Sequence, residues 1–187
     1  MKMFGSFIYT SALLAALLFG STTIGQATIW TEDFESYDDG ATVAVDNNVA
    51  NPAVDWSFGA GSATNKVFAT NPITGSKSFY HRQGTSTWTT ETIDISMYSD
   101  VSITINLKEQ TCEAGDMIET FYDIDGAGPV EFGDGNGDGG FSLATNTINT
   151  LNGSSLVITV TTTSADTDDK HKFDDILVEG TLDPQFS

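Results

Sequence analysis

The feature that most constrains this chain is a two-residue apolar alternation that recurs along most of its length. Val101-Ser102-Ile103-Thr104-Ile105-Asn106-Leu107 and Leu156-Val157-Ile158-Thr159-Val160-Thr161 each put their apolar side chains on one face of an extended segment. A face of that kind needs a second layer to cover it. The denser apolar content of the second segment suggests a central strand. Thr87 to Ile95 reads the same way, as does Met117 to Asp125, which places Ile118, Tyr122 and Ile124 together. Shorter strands are expected at 56–58, 66–69 and 78–82. Between them lie the turn signals Asn71-Pro72, Thr74-Gly75, Asp125-Gly126, Gly128-Pro129 and Asn152-Gly153. No stretch carries the helical period. The expected fold is all-β, an antiparallel β-sandwich of the jelly-roll type. A single domain should span residues 28–182, with a short tail at 183–187.

Residues 1–27 read as a signal peptide. A basic start at Lys2 precedes an apolar run from Phe7 to Phe19, and Gly25-Gln26-Ala27 supplies the small residues of a cleavage site after Ala27. The run is shorter than the roughly 20 residues a bilayer needs. The mature protein is therefore expected to be secreted, extracellular and free of the membrane. Charge narrows the partners further. The chain holds 7 Lys+Arg against 26 Asp+Glu, a net charge of −19, which argues against nucleic acid and against anionic lipid. Cys112 is the one cysteine, which excludes an intramolecular disulfide and a cysteine-ligated zinc site. No histidine lies near it in sequence, so it reads as a small strand residue rather than a nucleophile.

Two terminal motifs resemble a known pattern. Phe34-Glu35-x-Tyr37-x-x-Gly40 and Phe173-Asp174-Asp175-Ile176-x-Val178-x-Gly180 look like the first and last strands of carbohydrate-binding-module jelly rolls, and of MAM domains. The stretch Glu91 to Tyr98 and the Tyr122 to Gly126 hairpin similarly resemble modules of secreted bacterial proteins. In those families a Glu of the first strand and an Asp of the last share a structural Ca²⁺. The resemblance thus implies Glu35 and Asp175 as side-chain ligands, with backbone carbonyls near Asp33 completing an oxygen shell. Alternation puts Phe173, Asp175 and Leu177 on one face, where a carboxylate needs a compensating cation. The alternative is that these acids are solvated charges guarding a sheet edge. A second calcium candidate is the Gly-rich run in which Asp134, Asn136 and Asp138 follow the opening spacing of an EF-hand loop. Thr145 stands where the bidentate Glu would be, so the alternative is a hairpin tip whose residues suit turn geometry.

Aromatic side chains exposed on a sandwich form stacking platforms for sugar rings. Trp56, Trp88, Tyr80 and Tyr98 are the candidates, with His81 and Arg82 as polar handles; for each, the alternative is a place in the core. No nucleophile-elbow motif is present, and no carboxylate pair stands out among the acids, so a non-catalytic protein is expected. Three functions follow from these readings. A glycan-binding module requires a surface stripe of aromatics. A structural or adhesive protein, packing against surface proteins or copies of itself, requires buried aromatics and a flat face. A polysaccharide-active enzyme requires a cleft of converging carboxylates.

Overall fold

The alternating segments become long antiparallel strands in a computed structural model that describes residues 25–43, 54–59, 64–134 and 142–186. In chain order these are β1 (Gln26–Glu32), β2 (Trp56–Gly59), β3 (Thr64–Phe68), β4 (Ser78–Arg82), β5 (Gly84–Thr90) and β6 (Ile93–Asp94). They continue with β7 (Tyr98–Gln110), β8 (Met117–Ile124), β9 (Val130–Asp134), β10 (Ser142–Leu151), β11 (Ser155–Ser164) and β12 (Lys170–Leu182). Two six-stranded sheets result. Sheet A runs β10-β7-β12-β4-β3 with β1 also on β12; sheet B runs β2-β5-β11-β8-β9 with β6 also on β11. The chain is an antiparallel β-sandwich, as the alternation requires, and β11 takes the central place its apolar density suggests.

The first and last described strands pair with each other. β1 pairs with β12 from Gln26↔Thr181 to Glu32↔Ile176, while β4 pairs with the same edge from Lys170↔Arg82 to Phe173↔Phe79. Asp174 and Asp175 fall in the gap between those two partners. On the opposite edge the ladder with β7 slips between Asp174 and Leu177, and Asp175 adopts φ +49°. This is a β-bulge, and it breaks the strict alternation that sequence periodicity assumes.

The interior between the sheets is filled by aromatics. Phe34 is fully buried at φ +56°, with its ring centroid 5.7 Å from Phe79, 5.8 Å from Phe173 and 6.4 Å from Trp88. β1 ends at Glu32, so the Phe34-Glu35 motif lies in the following turn and not within the first strand as expected. Glu32 is the reason. Its buried carboxylate accepts hydrogen bonds from the Phe34 N–H (2.8 Å), the Tyr37 hydroxyl (2.8 Å) and Trp56 Nε1 (3.0 Å), folding the turn under the core. Two further departures concern strands. The segment expected at 87–95 divides into β5 and β6, and β9 and β10 form where no strand was anticipated.

Candidate functional site

Sheet A presents its outer face as a groove. Strand alternation turns Phe68 of β3, Tyr80 and Arg82 of β4, Gln110 of β7, and Lys170 and Lys172 of β12 outward. With Thr70 and Asn71 from the loop after β3, these residues line a groove of about 430 Å³, within the usual range for small-ligand sites. Its floor is aromatic: the Phe68 and Tyr80 rings lie 4.9 Å apart, centroid to centroid, at 44°. Lys66 Nζ sits 4.2 Å from the Phe68 centroid. Lys172 Nζ donates to the carbonyls of Thr70 and Asn71, and Lys108 Nζ to Asn71 Oδ1 (3.3 Å), so two lysines fix one lip of the groove. Burial, helped by the charges of Lys108 and Lys170, lowers the Lys172 ammonium to about 8. Burial raises the Tyr80 phenol, and Arg82 opposes the rise by charge and a hydrogen bond.

Two of the six aromatic and polar ligand candidates, Tyr80 and Arg82, thus come together here. Trp88 and Trp56 do not. Exposure alone does not separate them from Tyr80, which is itself buried; Trp88 and Trp56 pack in the core between the sheets whereas Tyr80 borders the outer groove, so neither Trp is a sugar platform. The Thr residues flanking Trp88 mark the outer face of β5, and the Trp itself lies on the inner one. His81 also points inward, and Tyr98 is half-buried against the core.

The second site is the carboxylate junction at the β12 bulge. The loop between β3 and β4 passes between the Glu35 turn and the bulge and contacts both. Glu35 Oε1 accepts from the N–H groups of Ser76 (2.6 Å) and Lys77 (2.9 Å), while Ser76 Oγ donates to Oε2. Thr74 N–H (3.3 Å) and Ser78 Oγ (3.1 Å) donate to Asp174 Oδ2, and Thr74 Oγ1 (2.8 Å) donates to Asp175 Oδ2 with Asn106 Nδ2 (3.0 Å). Gly75 is packed so tightly that a Cβ there would stand 2.2 Å from Glu35 Oε1. Burial pushes the Glu35 carboxyl up, but the Ser76 and Lys77 donors outweigh it and hold it below the ordinary range. Asp174 behaves oppositely. It is fully buried, and burial, with the charge of Asp175 adding to it, raises its carboxyl to about 7.

The bulge therefore changes which carboxylate of the pair is buried. Asp174, not Asp175, is the sequestered carboxylate, because the extra residue rotates Asp175 toward the surface. Asp33 is exposed and its Oδ1 accepts the Glu35 N–H (3.1 Å), so its side chain is engaged in the turn. Of the Gly-rich candidates, Asp134 contributes backbone to β9, while Asn136 and Asp138 lie outside the described residues.

A third cluster was not legible from sequence. Register aligns Asn65, His81, His171 and Glu109 across β3, β4, β12 and β7 on the inner face of sheet A. His171 Nε2 lies 3.2 Å from Glu109 Oε1 and 3.5 Å from Cys112 Sγ, and its Nδ1 lies 3.2 Å from Ser164 Oγ. Fifty-nine residues separate Cys112 from His171, which is why no spacing rule could join them. Counting thiols likewise says nothing of a mixed Cys, His and Glu donor set such as this one. All three side chains are fully buried, and burial together with Glu109 raises the thiol to about 11. A sealed, protonated thiol is not a nucleophile. Burial, with the neighbouring His171, lowers His81 to about 4.

No family model matches the chain, and no curated protein matches it by sequence. Solved structures do resemble it. A family 61 carbohydrate-binding module, solved in complex with β-1,4-galactotriose, superposes with a TM-score of 0.51 at 12% identity, covering 68% of this chain and 88% of that one. The K3 adhesin domain of Lys-gingipain from Porphyromonas gingivalis gives 0.50 at 12% identity, covering 83% and 99%. A family 22 xylan-binding domain from Paenibacillus barcinonensis gives 0.47 at 12% identity, covering 86% and 99%. At such identities the likeness is one of architecture: this chain has the β-sandwich, jelly-roll fold found in carbohydrate-binding modules.

Proposed function

We propose that the protein is a secreted, non-catalytic glycan-binding module whose binding surface is the outer groove of sheet A. The observation that carries this reading is the pair of adjoining rings, Phe68 and Tyr80, flooring a groove rimmed by Arg82, Gln110, Lys170 and Asn71. Sugar rings present an apolar CH face and a polar rim, and this groove offers an aromatic floor with hydrogen-bonding side chains at its edge. The terminal motifs support membership among carbohydrate-binding-module-like domains, and the N-terminal segment supports export with cleavage after Ala27.

Calcium belongs to the same reading. Glu35, Asp174 and Asp175 give a hard-oxygen donor set gathered around one loop, of the kind Ca²⁺ prefers. The fully buried Asp174 carboxylate, with only hydroxyl and N–H donors about it, is the feature a cation would relieve. A bound ion would tie the β1 turn, the β3–β4 loop and β12 together. Binding to the native state alone would raise the melting midpoint, by about 2.7 kcal/mol of stability at a hundredfold excess over Kd. Coincident melts in Ca²⁺ and in chelator would remove the ion from the account.

A glycan array on the intact chain tests the binding role. Retention of at least one glycan, lost in Tyr80→Ala and kept in a surface control on sheet B such as Thr87→Ala, is the expected result. Absence of any saturable glycan would favour a structural or adhesive role, to which the burial of Trp56 and Trp88 also points.

A further inference from the structure

We propose that the groove of sheet A selects an acidic polysaccharide, one carrying carboxylate or sulfate groups along its length; this rests on the glycan-binding reading above and names its ligand class. The chain has 7 Lys+Arg and 26 Asp+Glu. Lys2 lies in the N-terminal segment. Of the others, Lys66, Arg82, Lys108, Lys170 and Lys172 all stand on four adjoining strands of sheet A, β3, β4, β7 and β12. Register lays them in two rows across those strands. One row reads Lys66, Tyr80, Lys172, Lys108, and the next reads Thr64, Arg82, Lys170, Gln110.

This arrangement is unfavourable on its own. Lys172 lies directly opposite Lys108, and Lys170 directly opposite Arg82. Like charges directly opposite one another destabilise a sheet. A chain with so many carboxylates has the means to interleave them, yet none lines the groove. Among the described residues Lys66, Arg82, Lys170 and Lys172 make no salt bridge to a carboxylate. Lys172 and Lys108 serve the loop carbonyls, which leaves Arg82 and Lys170 without such a duty. The chain's scarce cations are thus concentrated on the face that carries the aromatic-floored groove.

The chemistry that matches is a saccharide whose CH face rests on Phe68 and Tyr80 while its anionic substituent meets Arg82 and Lys170. A guanidinium accepts a planar carboxylate or a sulfate through paired N–H donors. The rest of the molecule is acidic and repels polyanions, so attraction is confined to within about a Debye length, roughly 8–10 Å at ordinary salt. Binding should therefore weaken sharply as salt rises.

The test is affinity electrophoresis of the intact chain in gels containing polygalacturonate, dextran sulfate, xylan or β-1,4-galactan. The variants are Arg82→Gln/Lys170→Gln and Tyr80→Ala, with folding checked by circular dichroism. The proposal expects retardation by polygalacturonate or dextran sulfate at least about tenfold stronger than by the neutral polymers, a ratio that loss of a charge-assisted hydrogen bond would remove. The double variant should lose that advantage, as should the parent at high salt, and the better of the two acidic polymers identifies the anionic group. Neutral polymer bound as well as the acidic ones, lost in Tyr80→Ala but unchanged in the double variant, would overturn the anionic preference and leave the glycan reading standing. No retardation by any of the four would overturn both.

Discussion

Replacing Asp174 by Asn should stabilise the metal-free protein at mildly alkaline pH, although it removes a charge from a well hydrogen-bonded position. Asp174 is fully buried, and its carboxyl is raised from 3.8 to about 7. The sign follows from linkage. A folded-state pKa above the unfolded value means the native state holds a proton that the unfolded state releases between about pH 4 and pH 7. The stabilising contribution is complete below that window and is lost as pH rises through about 7. A rise of about three units corresponds to at most about 4 kcal/mol of penalty on the charged form. Asn stays neutral but serves only one side of the site as acceptor. The carboxylate accepts from Asp175 N–H (2.9 Å) on Oδ1 and from Ser78 and Thr74 on Oδ2. One donor therefore loses its acceptor, which costs about 1–3 kcal/mol. The expected balance at about pH 8 in chelator is a variant more stable by about 1–2 kcal/mol, or a few degrees in Tm for a domain of this size. On going to about pH 5 the parent should gain about 2–3 kcal/mol relative to the variant, enough to cancel the variant's advantage and reverse their order. Urea unfolding followed by tryptophan fluorescence at several pH values reads this directly. A stability gap that does not change with pH would mean that Asp174 titrates as a solvated acid and that burial does not hold its proton. Adding Ca²⁺ at pH 8 should reverse the order of the two proteins.

Other outcomes follow from the same geometry. Gly75→Ala should destabilise by about 1–3 kcal/mol, since the residue sits at φ +52° and its Cβ would meet the Glu35 carboxylate; a thermal melt checks it. Trp88→Ala should lose about 3–5 kcal/mol through the cavity left between Phe34 and Phe173, and denaturant unfolding measures this. Cys112 should resist thiol reagents in the native state at pH 8 and react only on unfolding, because its buried thiol is raised to about 11; the labelling rate against urea concentration tests that.

The sheets were readable because apolar alternation at Val101–Leu107 and Leu156–Thr161 leaves few other folds available. β10 escaped notice because Ser142–Leu151 is an edge strand rich in Thr and Asn, and Leu143 on its outer face is 65% exposed. The carboxylate junction was half legible. Glu35 and the Asp pair announced themselves as acids near strand ends, but the choice between Asp174 and Asp175 depends on a bulge, and a one-residue slip reverses every later face. The Cys112, His171 and Glu109 cluster joins distant segments through sheet register alone. The groove was legible in part, through Tyr80 and Arg82. Phe68, Lys170 and Lys172 join them only once β3 and β12 are known to flank β4. Trp88 misled because a polar strand start says nothing of which face the larger side chain takes.

The proposed binding surface is the outer face of sheet A. A titration of the ¹⁵N-labelled protein with oligosaccharides of the best-retained polymer, followed by amide chemical shifts, addresses it residue by residue. Saturable shifts at Phe68, Tyr80, Arg82, Gln110 and Lys170, with the strands of sheet B unmoved, are the predicted result. Saturable shifts confined to sheet B would contradict it, as would the absence of any shift at ligand excess.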